Sequence, residues 1–205
     1  MQRSAGRALG IILVLVLLIG AGVLGWYFLI YTKSPSYALN QFFAAAKAND
    51  TERVAKLTDA SGSLMMLFMQ AIGDPVTLIY PGYGRQDVGK VAKLEIGTMT
   101  VEGDTARAPV TMEVVTPQGN RYTIRPTYVL RKTDEGWKVA VEATFAGSFN
   151  EFVPPAVQQM VLRQIRGMLS NPGIAQMARM QLQGLRAEIE KYPQLRDFLR
   201  RAGLY

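Results

Sequence analysis

A chain of 205 residues with 49% apolar side chains has room for one membrane or targeting segment and one ordinary folded domain. It contains no cysteine and no histidine, which excludes disulfides, thiolate nucleophiles, Cys/His zinc sites and every Ser-His-Asp or Cys-His arrangement. The net charge of +7 sits at the two ends: Arg3, Arg7 and Lys33 flank an apolar run, residues 34–149 balance 12 basic against 12 acidic groups, and residues 150–205 carry 8 against 4.

Residues 8–31, "ALGIILVLVLLIGAGVLGWYFLIY", are 24 uncharged positions, 15 of them Leu, Ile, Val or Phe. As a helix the run is roughly 36 Å long, enough for a hydrocarbon core of about 30 Å. Trp26, Tyr27 and Tyr31 gather at its far end, at the depth of the headgroups. The expectation is a single-pass signal anchor in the cytoplasmic membrane, with the lipid bilayer as partner. Arg3 and Arg7 keep residues 1–7 cytoplasmic and place the remainder outside. A cleaved signal peptide is the competing reading, with Gly20-Ala21-Gly22 as its site. The apolar run continues for nine residues past Gly22, longer than such peptides need.

Ser34-Pro35 then starts a new helix, Ser as N-cap and Pro at the first helical position. Leu39, Phe42, Phe43 and Ala46 give it one buried face. Asn49-Asp50 ends it and caps a shorter helix with Val54 and Leu57 inward, and a third, "SGSLMMLFMQAIGDP", begins at Ser61 or Ser63. The period next changes to two, in strands around Val91–Val101, Thr105–Thr116, Arg121–Thr133 and Trp137–Thr144. Pro117-Gln118-Gly119 fits a three-residue hairpin loop, which sets Val114 opposite Tyr122 and Met112 opposite Ile124. A turn through Thr133–Gly136 sets Leu130 opposite Val139 and Tyr128 opposite Val141. Pro126 marks a bulge or an edge, and the Glu102-Gly103-Asp104 turn leaves two registers open.

Three helices followed by a meander ending in a Trp-bearing strand resemble the nuclear-transport-factor-2-like superfamily, also called cystatin-like α+β, and within it bacterial membrane-tethered or lipoprotein-like members. The resemblance spans about Ser34 to Thr144, on Pro35, Ala38, Phe42, Ala45, Asp50, Val54, Leu57 and "DEGWKVA". It implies a domain at 34–147 in which a curved antiparallel sheet wraps its helices into a cone. Phe42, Tyr80, Met112, Tyr122 and Tyr128 are the candidate lining of a pocket there. Enzymes of this superfamily place a carboxylate beside Tyr or acid donors in the cone. By the strand alternation above, Glu95, Glu113 and Glu142 fall mostly on the solvent face. "YPGYGR" at 80–85 lacks the Lys-Ser/Thr of a phosphate loop and reads as a loop entering the sheet. Arg121, Arg125 and Arg131 share an outer face that is solvated or meets anionic lipid.

Residues 148–205 read as a helical extension. Pro154-Pro155 opens a helix with the apolar set Val157, Met160, Val161, Ile165 and Met168; a second runs to about Tyr192 with Ala178, Leu182, Leu185 and Ile189; Pro193 starts a third. These helices fold back on the sheet, pack on a partner, or lie on the membrane surface. Met160, Ile165, Met168, Leu182, Leu185 and Ile189 are the candidate interaction surface for a second copy or an envelope protein. No basic patch interleaved with aromatics calls for nucleic acid. The residues point to no catalytic group, cofactor or metal. The expected protein is therefore α+β, membrane-anchored, extracytoplasmic and non-enzymatic, a binding or scaffolding module. A carboxylate/tyrosine isomerase- or dehydratase-like enzyme and a carrier of a small apolar ligand are the alternatives.

Overall fold

The structure is a computed structural model that describes residues 31–62, 64, 74–84 and 89–205. The expected membrane span lies outside these residues except for Tyr31, and so does most of the third expected helix, of which Leu64 is described and buried. Among the described residues no helix is long and apolar enough to cross a membrane.

A 3-10 turn at Tyr31–Lys33 leads into α1 (Pro35–Ala48). Ser34 caps it, its Oγ accepting from the Tyr37 N–H at 3.2 Å, and Pro35 occupies a position where no N–H is needed. Leu39, Phe42, Phe43 and Ala46 are all buried, as their spacing requires. Asn49 ends the helix in the left-handed region at φ 53°. Asp50 then caps α2 (Thr51–Leu57), its carboxylate accepting from the Arg53 N–H at 3.0 Å.

The described strands are β1 (Thr58–Asp59), β2 (Lys90–Ile96), β3 (Thr100–Glu102), β4 (Thr105–Val115), β5 (Arg121–Ile124), β6 (Thr127–Thr133) and β7 (Gly136–Ala140). They form one sheet in the order β1-β7-β6-β4-β2, with β3 and β5 also paired to β4. The sheet is mixed rather than wholly antiparallel: β1 is delivered by α2 instead of a hairpin and runs parallel to β7, Thr58 beside Val139. The hairpin registers fall as the turns dictate. Val114 is opposite Tyr122, Met112 opposite Ile124 and Leu130 opposite Val139. Gly119 adopts φ 83° in its loop, and the Gly103-Asp104 turn pairs Glu102 with Thr105.

β4 is the spine, and it serves two half-sheets. Residues 105–109 lie between β3 and β6, whereas 110–115 lie between β2 and β5. Both neighbours are interrupted at the changeover, at 97–99 and at 125–126. Pro109 is tolerated in this central strand because its carbonyl accepts from the Gly97 N–H at 2.8 Å. Its missing N–H therefore faces the break between β2 and β3, where no ladder bond is owed. Pro126 occupies the other break, its carbonyl accepting from the Val110 N–H at 2.9 Å. The outer strand β2 shifts register between Val91 and Lys93.

The expected strand Trp137–Thr144 stops at Ala140, and Val141–Gly147 forms a helix, α3, followed by α4 (Phe149–Phe152). The cause lies on the neighbouring strand. β6 extends beyond β7, leaving N–H groups at its edge. The Thr144 Oγ1 accepts from Val129 N–H (3.0 Å), the Ser148 Oγ from Thr127 N–H (2.8 Å) and a Glu151 carboxylate oxygen from Arg125 N–H (2.7 Å). Four helical residues advance about 6 Å and two strand residues about 6.7 Å, so a helix running back along the edge meets every second N–H. Val141 thus cannot pair with Tyr128, and Glu142, expected on a solvent face, is buried.

The extension continues as α5 (Pro155–Leu169), α6 (Pro172–Gln183), α7 (Arg186–Ile189) and α8 (Pro193–Ala202). The second expected helix is thus broken at Gly184-Leu185. α8 buries Leu195 and Phe198 against α3 and α4, with the Phe149 and Phe198 rings 4.9 Å apart. α5 docks on α8 through a face that the apolar pattern does not single out, burying Gln158 and Leu162. The Gln158 amide nitrogen donates to Asn150 Oδ1 (2.9 Å) and the Val153 carbonyl (2.7 Å), and its oxygen accepts from Arg201 (2.7 Å). A fully partnered polar group can thus replace an apolar one at the contact.

Replacing Thr144 with Val keeps its shape but leaves the Val129 N–H unpaired in the interior. Urea denaturation is expected to show a loss of about 1–3 kcal/mol, with Thr144→Ser nearly neutral.

Candidate functional site

Four of the five candidate pocket residues meet in one buried cluster. Phe42, on α1, shares the core with Tyr80, Met112 and Tyr128, and Phe43 on the same helix has its ring 4.9 Å from Tyr128 and 6.1 Å from Tyr80. Tyr128 is fully buried, donates its hydroxyl to the Ile79 carbonyl, and is held well above the usual phenol range by that burial. These side chains fill the space they were expected to line. Tyr122 is not among them. It shares a face with Val114 but sits near the hairpin tip, 40% exposed, beyond the end of the helical cover.

The concave feature beside this cluster is a cleft of about 750 Å³ at the mouth of the sheet. Its walls are the C-terminal end of α1, the turn after Tyr80, the start of β2 and the β4–β5 hairpin. Lys47 and Lys90 line it together with Asn49, Tyr80 and Thr116, and no carboxylate does among the described residues. The sequence gives each wall its geometry. Left-handed Asn49 turns its amide oxygen to accept from the Gly84 N–H at 3.2 Å, fixing the turn to the helix. Gly82 and Gly89 have positive φ of 84° and 104° and let three backbones meet: a Cβ on Gly82 would collide with the Gly89 carbonyl, and one on Gly89 would lie 2.6 Å from the Val115 carbonyl. Residues 80–84 of "YPGYGR" thus form a packing loop at the edge of the cleft. Burial raises the Tyr80 phenol above its ordinary range, so it stays a neutral donor at physiological pH.

A second cleft, about 530 Å³, lies between β4, β6, α3 and the start of α8. Arg107, Arg131, Lys191 and Tyr192 line it. Arg131 is paired with Asp59 (3.1 Å) and Lys191 with Glu188 (2.6 Å), so most of its charge is internally answered. The Tyr192 phenol is pushed up to about 12 by partial burial and then by Glu142 and Glu188, against Arg131 and Arg107. Elsewhere on the sheet Arg121 pairs with Glu113 at 2.6 Å, so the arginine face expected at 121, 125 and 131 is largely neutralised. Buried Glu142 lines neither cleft.

The candidate interaction residues divide. Met160 and Met168 are exposed; Ile165, Leu182 and Leu185 are half-buried; Ile189 is wholly inside the core and so lies off any surface. Sequence periodicity missed Ile189 because it assumed one unbroken helix to Tyr192, whereas the break before α7 turns that residue inward.

Because the Tyr192 phenol binds its proton more tightly folded than unfolded, its share of stability is complete below pH 10 and is lost as pH rises towards 12. Urea midpoints measured across that window are expected to fall less steeply for Tyr192→Phe than for the parent chain.

No family model and no characterised protein matches the sequence. Among solved structures, the chain is similar in part to the following. A Campylobacter jejuni protein named as an NTF2-like transpeptidase is 22% identical, with a TM-score of 0.34 over 52% of this chain and 98% of its own. A Xanthomonas campestris protein named as a calcium/calmodulin-dependent protein kinase II association domain is 14% identical, with a TM-score of 0.29 over 51% of this chain and 79% of its own. With N-terminal helices packed on a mixed sheet in the order β1-β7-β6-β4-β2, the fold is α+β.

Proposed function

We propose that the chain is a single-pass, signal-anchored protein of the cytoplasmic membrane that holds a non-enzymatic binding module outside it. The observation that carries this reading is the junction at Tyr31. An uncharged run of 24 residues, 8–31, reaches the first described turn, and only Thr32 and Lys33 separate it from the Ser34 cap. The binding place is the mouth cleft, which Lys47 and Lys90 line together with hydroxyl, amide and apolar groups and, among the described residues, no carboxylate. That chemistry suits a small molecule with one anionic end. A carboxylate–tyrosine enzyme is the weaker reading, because Glu142, its best-buried carboxylate, stands apart from this cleft.

The absence of native cysteine makes orientation directly testable. A single Lys56→Cys substitution on exposed α2 is expected to react with a membrane-impermeant maleimide in intact spheroplasts; reaction only after lysis overturns the proposed orientation. Native mass spectrometry of the chain released from membranes in mild detergent is expected to show a small anionic adduct that Lys47→Glu/Lys90→Glu loses. An adduct unchanged by both substitutions places binding elsewhere.

A further inference from the structure

The second cleft, about 530 Å³, lies on the sheet face turned away from the core and shares no lining residue with the mouth cleft. Ala106, Ala108, Tyr128 and Leu130 point into the core, so the alternation of β4 and β6 turns Arg107, Val129 and Arg131 the other way. On its helical side α3 contributes only Ala143, Ala146 and Gly147. A Cβ on Gly147 would meet no atom within 4 Å. The space is thus open, and its volume is ordinary for a small ligand.

The polar groups of this cleft differ in what they already hold. Arg131 is taken by Asp59 at 3.1 Å and Lys191 by Glu188 at 2.6 Å. The Arg107 guanidinium makes no ion pair or hydrogen bond among the described residues, although Glu102 stands on the same face across from Thr105. The Tyr192 hydroxyl makes no hydrogen bond among them either. No sealed side-chain oxygen among the described residues lacks a partner, so this hydroxyl opens onto the cleft that Tyr192 lines. Two donors therefore remain unused in one cavity, one charged and one neutral. They stand apart: β6 lies between β4, which carries Arg107, and α3, on which α8 packs just after Tyr192.

The charges around each donor say what it takes. One free guanidinium matches one negative charge, and its fork suits a carboxylate. A phosphomonoester would bring about −1.5 to −2 at neutral pH and leave the excess uncompensated. Around the Tyr192 phenol, Glu142 and Glu188 act more strongly than Arg131 and Arg107, and it stays protonated, its pKa pushed up to about 12. An anion is disfavoured there, and an uncharged oxygen is the acceptor that fits. We propose that this cleft is a second ligand site, taking a small monocarboxylate. Arg107 holds the carboxylate, Tyr192 donates to an uncharged oxygen at the far end, and the apolar body lies against Val129 and Ala143. The site depends neither on the membrane anchor nor on the mouth cleft.

The test titrates the full chain in mild detergent, its alanine methyls isotope-labelled, with para-acetylbenzoate. In methyl NMR, Ala143 reports this cleft and Ala46 the mouth cleft. The Ala143 resonance is expected to shift and to saturate at about millimolar concentration, ordinary for so small a ligand. Arg107→Gln is expected to weaken binding about tenfold or more, and so is exchanging the probe for uncharged para-acetylbenzamide. Tyr192→Phe is expected to abolish a preference of about threefold for para-acetylbenzoate over para-ethylbenzoate. Gly147→Leu, which fills open space, is expected to block the shift in a chain that melts no lower than the parent. A silent Ala143 up to the probe's solubility limit overturns the site. A shift at Ala46 alone assigns carboxylate binding to the mouth cleft, which overturns this site and leaves that one standing. A shift at Ala143 that the benzamide matches with equal affinity also overturns it, since Arg107 then holds no carboxylate.

Discussion

The edge of β6 is the constraint on which the rest of the molecule depends. A strand longer than its neighbour exposes backbone N–H groups that must find acceptors, and here they take hydroxyl and carboxylate oxygens from Thr144, Ser148 and Glu151. Meeting that demand forces the chain out of β conformation at Val141 and into a helix antiparallel to the strand. Once α3 and α4 are laid along the edge, their outer side presents Phe145 and Phe149. These carry α8, and α8 carries α5. The helical extension is thus continuous with the sheet through one row of side-chain acceptors.

On the other side of the sheet Phe42, Met112 and Tyr128 occupy the interior themselves. A pocket in such a fold needs small residues where this chain has aromatics. The remaining concavity is displaced to the mouth, where Gly82, Gly89 and Asn49 allow backbones to approach and where the two lysines stand.

Features written in local chemistry were legible. Ser34-Pro35 and the apolar spacing from Leu39 to Ala46 dictate α1, and Pro117-Gln118-Gly119 dictates a hairpin register down to its residue pairs. What escaped was set by distant partners. "VEATFAG" has the β-branched, alternating look of a strand and becomes a helix because of N–H groups on β6. Gln158 is polar by type yet buried, since Asn150, Val153 and Arg201 complete its hydrogen bonds. Of the candidate site, Phe42, Tyr80 and Tyr128 were recognisable as inward-facing, whereas Tyr122 is exposed near the hairpin tip. Whether the inward residues would line a space or fill it depends on how helix and sheet close over them, which no residue pattern along one strand reveals. The cleft lysines carried no signal at all, because single lysines at a helix end and a strand start are ordinary surface residues until the fold brings them together.

The register shift in β2 between Val91 and Lys93 bears on a different hazard. An open strand at the margin of a sheet is a template for the same strand of another molecule. The irregular ladder breaks the template, and charged side chains stand along it: Lys90, and Lys93 paired with Glu95 at 2.7 Å. At the margin beyond β7, β1 is two residues long and offers almost nothing to extend. These two margins of the sheet are therefore poor templates for edge-to-edge polymerisation, a safeguard against fibre growth under crowding.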